Sequence, residues 1–168
     1  MKPGQERPAP FAEREWARDE PVLRLDRFLP YRLSVLASRT SRTLARRYRE
    51  RFGLSIAEWR VMAVLGWREG LSASEIAERT AMDKVKVSRA ITRLEQRKLL
   101  ARSRDPSDRR ISRHRLTAAG RAVYGQVVPL ARAFEEHLLA VLTTEERRRL
   151  FALLDRLDAR IENLAPDG

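Results

Sequence analysis

The chain has 168 residues, 43% of them hydrophobic, and 35 Lys and Arg against 23 Asp and Glu give it a net charge of +12. That length and composition fit one globular domain or a tightly joined pair, and exclude a disordered chain too poor in apolar residues to fold. With no cysteine, disulfides, thiolate metal sites and thiol redox sensing are excluded as well.

Residues 1–21 hold four of the eight prolines and are predicted as an irregular arm, with Trp16 as its candidate anchor. The opening MKPGQERPAP has no apolar core of the kind a secretory signal needs. No run approaches the roughly 18 apolar residues of a membrane span. A cytoplasmic protein with no membrane association is the expectation. From Pro30, a favoured first-turn residue, apolar positions recur at Leu33, Leu36, Leu44, Tyr48 and Phe52, with Thr40 in phase. This is helical spacing, and Gly53 is placed to end it.

Two capping boxes follow. In LSIAEW, Ser55 precedes Glu58 by three; in LSASEI, Ser72 precedes Glu75 by three. Each pairs an N-cap hydroxyl with a carboxylate that returns to the cap, and Leu54/Trp59 and Leu71/Ile76 are spaced as hydrophobic staples. Asp83 is the N-cap of a third short helix. Short helices joined by tight turns predict a helix-turn-helix. On a wheel at about 100° per residue, Val87, Ala90, Ile91 and Leu94 share the core face of that third helix. Opposite them lie Val85, Arg89, Thr92 and Gln96, flanked by Lys86, Ser88 and Arg93. Such a face offers bidentate and hydroxyl donors to base edges, and Val85 suits a thymine methyl.

Next, LLARSR and RISRHRL flank DPSD. Asp before Pro suits a type I turn and therefore a β-hairpin, with Arg113 and Arg115 on one face and His114 and Leu116 on the other. Between Lys84 and Arg115, twelve Lys and Arg face three acids. A charge focused in this way marks a docking surface for a polyanion, either nucleic acid or an anionic membrane surface. Two more helices are predicted. One runs from about Arg121 to Leu142 with a kink at Pro129. The other starts at Thr143, boxed with Glu146, and carries Leu150, Leu153, Leu154, Leu157, Ile161 and Leu164 at spacings of three and four. That interval suits pairing with a second copy.

No catalytic or metal constellation appears. His114 and His137 have no partners at metal-ligand spacing, and no phosphate-cradling glycine loop or nucleophile elbow is present. Neither enzyme activity nor a cofactor is expected.

LSIAEWRVMAVL, LSASEIAERTAMDKVKVSRAITRLE and above all DPSDRRISRHRLTAAG, in this order, resemble the multiple antibiotic resistance regulator (MarR) family over roughly residues 28–164. The last segment is similar to the family's wing signature, Asp-x-x-Asp-Arg-Arg leading into Leu-Thr-x-x-Gly. One departure is Lys98, where the family usually has Gly; a positive φ there would carry strain. The resemblance implies a mostly α fold with a small β-hairpin: a winged helix-turn-helix with a helical dimerisation region. It divides the chain into an arm (1–21), a dimerisation helix (22–53), the winged lobe (54–118) and C-terminal dimerisation helices (119–168). The implied function is a homodimeric regulator, a repressor, seated on a palindromic operator. Ser72 and Ser74 would meet phosphates, and Lys84, Val85, Lys86, Ser88, Arg89, Thr92 and Arg93 would lie along the major groove. Arg109 and Arg110 would enter the minor groove, and Arg113 would also contact DNA. Asp83, Asp105 and Asp108 would brace the wing, Asp83 through a bridge to Arg110. Release by a small aromatic or heteroaromatic acid, or its coenzyme A thioester, is also implied. Candidate contacts are Arg27, Tyr31, Ser34, Ser38 and Arg42, with Trp59, Arg60 and Met62. The competing expectation, from charge alone, is an architectural DNA protein indifferent to sequence.

Overall fold

The computed structural model describes residues 23–164; the predicted arm with Trp16 lies outside them. The chain separates into two compact units, 1–38 and 39–168. In the first, Arg24 and Asp26 form an ion pair of 3.0 Å beside a turn in which the Arg27 and Phe28 N–H groups donate to the Arg24 and Leu25 carbonyls. The turns of α1 (Leu29–Phe52) that follow expose Leu29, Leu33 and Leu36.

The second unit holds the core. On this part of α1, Ala45 and Tyr48 are buried, and the helix stops at Gly53, whose φ of 61° suits glycine. Then come α2 (Ile56–Trp67), α3 (Ala73–Thr80) and α4 (Lys84–Gln96). Both expected capping boxes form at Ser55/Glu58 and Ser72/Glu75, and Asp83 accepts from the Lys86 N–H as the cap of α4. Strand β1 (Leu100–Arg104) pairs antiparallel with β2 (Ser112–Leu116), from Leu100 opposite Leu116 to Arg104 opposite Ser112. A bridge between Leu71 and His114 adds the segment before α3 to the hairpin edge. α2 packs against α3, α4, α5 and β2, while α4 also meets α3 and β1. Leu54, Met62, Leu65, Ile76, Val87, Leu94 and Leu116 form the centre of one apolar cluster.

Helix α5 (Ala118–Leu139) starts before the predicted Arg121 and ends before Leu142. Thr117 is its N-cap, so Gly120 is a first-turn residue and not the stop before a helix. A Cβ at Gly120 would collide with the Leu99 backbone carbonyl oxygen. The glycine therefore lets α5 start against the carbonyl that also accepts the Thr117 N–H. Pro129 lies inside this helix. The last helix, α6 (Thr144–Glu162), carries the third capping box at Thr143/Glu146 and buries no residue.

Candidate nucleic-acid interface

The recognition surface starts with α4. Val87, Ala90, Ile91 and Leu94 are its buried residues, as the wheel predicts. Lys84, Val85, Lys86, Ser88, Arg89, Thr92 and Arg93 are exposed. Val85 is 59% exposed, a cost to an isolated chain that a thymine methyl would relieve. Lys86 pairs with Asp83 at 3.0 Å. Lys84, Arg89 and Arg93 form no ion pair among the described residues. Ser72 uses its hydroxyl oxygen to cap α3, and Ser74, the second residue of that helix, is exposed. That helix end presents backbone N–H groups and hydroxyls suited to a phosphate.

The wing departs from expectation in two ways. Asp83 does not bridge to Arg110. Its carboxylate is taken by the Lys86 backbone N–H and then by the Lys86 ammonium, and these hold it below the usual carboxylate pKa. The brace is Asp105. One of its oxygens accepts the Ser107 and Asp108 N–H groups, and the other accepts Arg113 Nε at 2.6 Å. The Asp105 pKa is lowered, by Arg113 first and the two N–H groups next. The predicted type I turn at Asp105–Asp108 is thus closed by this carboxylate; the backbone turn bond joins the Ile111 N–H to the Asp108 carbonyl. Asp108 accepts from the Arg110 N–H.

Arg113, expected at DNA, faces inward instead. Besides Asp105, it donates through Nη1 to Glu75 at 2.7 Å and to the Gly70 carbonyl at 3.3 Å. Its guanidinium is a strut from the wing to the first turn of α3, because two carboxylates hold a fork-shaped cation better than solvent does. The same Glu75 oxygen closes the capping box on the Ser72 N–H at 2.8 Å. That second duty of Glu75 is not legible in the spacing, since it depends on how the hairpin folds over α3. Arg109 and Arg110 at the tip, and Arg102 and Arg104 on β1, are exposed and form no ion pair among the described residues. The β1 pair is absent from the sequence-based candidates; alternation places both on the face that carries Leu100 and His114, yet both are exposed.

The expected effector contacts fall in both units. Arg27, Tyr31, Ser34 and Ser38 belong to the first unit. In the second, Met62 is fully buried in the core. Trp59 lies between Tyr48 and Tyr124, with ring centroids 5.8 and 6.0 Å away. Arg60 donates to Ser41 at 3.2 Å. Arg42 joins Arg39, Thr43, Arg46 and Arg49 around an open cavity of about 450 Å³. Their spacing marks one helix face, a basic comb that counting charge by sequence density overlooks. A more apolar groove of about 340 Å³ runs between α1 and α5, past Leu44, Val128, Phe134 and Leu138. Among the described residues no helix is long and apolar enough to cross a membrane, and no cluster of His, Asp and Glu could hold a metal.

Comparison with known proteins agrees with this architecture. A model described as MarR family matches residues 52–111. The chain is 30% identical over 112 residues to the uncharacterized HTH-type transcriptional regulator YdgJ of Bacillus subtilis, covering 67% of this chain and 68% of that protein. A MarR-family transcriptional regulator from Silicibacter pomeroyi superposes with a TM-score of 0.72 at 30% identity, over 88% of this chain and 97% of that one. Bordetella bronchiseptica BpsR, whose DNA binding is regulated by 6-hydroxynicotinic acid, superposes with a TM-score of 0.72 at 28% identity, over 82% and 97%.

Proposed function

Because this chain belongs to the MarR family of transcriptional regulators, whose members generally bind DNA as dimers and often respond to ligands, we propose that it is a sequence-specific repressor. Two copies hold their α4 helices in successive major grooves of a palindromic operator, and the wing tips reach the flanking minor grooves. One observation carries this assignment: the outward face of α4 combines unpaired Arg89 and Arg93 with Thr92 and an exposed Val85, beside a wing whose tip arginines are free. Phosphates alone would attract lysine and arginine anywhere. A hydrophobic side chain among them suits base-edge contact.

A duplex selected from a random pool tests the proposal. It should bind roughly 10³-fold or more tighter than random duplex at physiological salt. Arg89→Ala should flatten that preference at one position in each half-site. Equal competition by random duplex would favour an architectural DNA protein. The effector we assign is a small aromatic or heteroaromatic acid. Support comes from BpsR and from the guanidinium groups, Arg42 among them, that line an open cavity of about 450 Å³. Release of the selected duplex by 6-hydroxynicotinic acid or a similar acid, weakened in Arg42→Ala, is the expected result.

A further inference from the structure

His114 stands at a junction that DNA contact does not explain. Its backbone carries two bonds to the segment before α3: the His114 N–H donates to the Leu71 carbonyl, and the Gly70 N–H to the His114 carbonyl, each at 2.9 Å. Across the hairpin it faces Arg102. Its ring, only 4% exposed, points at Glu95 in the last turn of α4, with Nδ1 to Oε1 at 3.5 Å. Both of those atoms are buried without a hydrogen-bond partner. One residue thus joins the wing to the entry to α3 through its backbone and to α4 through its ring.

We propose that His114 is a positioning residue for DNA recognition: its uncharged ring seats the wing against α4, and a proton on that ring loosens the seat. This rests on the DNA-binding assignment above. Burial of the ring is the main force against the charged form; Glu95 opposes it, and Arg102 adds to it. Among the described residues, Glu95 and Arg102 are the charges that act on the ring. Arg113 is matched by Asp105 and Glu75, Arg121 on α5 by Glu69, and Glu58 on α2 is committed to its own cap. Arg115, next in the strand, is exposed to solvent.

The sign follows from linkage. A histidine whose pKa is lowered by folding leaves the closed wing fully stable above the ordinary value of about 6.5, and that stability is lost as the pH falls below it. A proton therefore prefers the open wing, and the operator, which needs the closed one, loses affinity in acid.

The test uses the full-length protein and its selected operator duplex at constant ionic strength. Between pH 7.5 and 5.5 the wild type should weaken about three- to tenfold more than His114→Gln or His114→Val, since one unit of pKa is tenfold in equilibrium. The chain has two histidines, so NMR titration, with His137→Gln to assign the peaks, reads His114 directly and without DNA. Its midpoint should lie below the ordinary value and fall further in Glu95→Gln, which removes the one opposing charge. Equal pH dependence in wild type and both His114 variants would overturn the proposal. So would a midpoint that stays put or rises in Glu95→Gln, or an operator affinity that His114 raises in acid. No selective binding at pH 7.5 would instead overturn the repressor assignment.

Discussion

The winged lobe and the C-terminal helix use the same residue type to opposite ends. Leu54, Leu65, Leu94, Leu99, Leu100 and Leu116 are 0–6% exposed, whereas Leu150, Leu153, Leu154, Leu157 and Leu164 are 37–60% exposed. One chain completes the lobe: its caps, its core and its wing strut all close on themselves. The same chain leaves α6 with an apolar face, repeating at three and four residues, and with nothing buried. A contiguous apolar face of this size marks an interaction surface. In a family that binds DNA as dimers, a second copy is its natural cover. Under the function proposed above, the lobe reads DNA and the helices set the distance between two readings.

The sharpest way to break the contrast is to put charge on α6. Leu154→Asp with Leu157→Asp should leave the lobe folded but yield single-subunit mass in sedimentation. Operator affinity should fall on the order of a hundredfold or more, because the second half-site contact ceases to be intramolecular. A double variant that stays dimeric would move the interface elsewhere.

Two glycines in α5 test the lobe's packing from within one helix. Gly120→Ala drives a methyl into the Leu99 carbonyl and should cost about 2–3 kcal/mol in denaturant unfolding, the upper range for overpacking. At Gly125 an added methyl would meet nothing within 4 Å, so Gly125→Ala should gain roughly 0.5–1 kcal/mol through helix propensity. Equal effects would contradict the close approach of α5 to the β1 entry.

The strut gives a smaller effect with a pH signature. Arg113→Ala should weaken the operator about two- to fivefold, the scale of partly exposed pairs. Folding lowers the Asp105 pKa. Its contribution is therefore complete above the ordinary carboxylate value of about 3.9 and disappears as the pH drops below that. Thermal melts between pH 5 and pH 3 should steepen in wild type and flatten in Asp105→Asn. At pH 5.5 the strut is intact, so acid loosening there belongs to His114.

Much of this is legible in the sequence because it is local. Capping boxes act across three residues, and the α4 wheel needs only the helical period, so both can be drawn from the sequence. The wing brace cannot. Asp83 and Asp105 carry the same group, and the choice between them depends on a loop from Asp105 to Ile111 that folds its own carboxylate inward. Arg113 alternates outward in an ideal strand, but the edge bridge at Leu71 brings Glu75 within its reach. His114 reads as an inner-face residue; its partner on α4 appears only once the sheet is laid against the helix. Met62 and Trp59 have polarizable side chains that suit a ligand; the structure buries Met62 in the core and leaves Trp59 partly exposed against it.

The smallest test concerns the two residues that the lobe holds in left-handed backbone. Lys98 has φ 57° in the turn between α4 and β1, where the resemblance expects glycine, and Ala81 has φ 49° at the end of α3. A residue with a Cβ is disfavoured there by roughly 1–2 kcal/mol. Glycine removes that strain but makes the unfolded chain more flexible, which offsets about 0.4–1 kcal/mol of the gain. Lys98→Gly should therefore stabilise the protein by only about 0.5 kcal/mol, or roughly one to two degrees in melting temperature for a chain of this length. Lys98→Ala, which keeps the Cβ, should show no gain. If alanine stabilised as much as glycine, the charge of Lys98 and not its backbone would be the source of the strain.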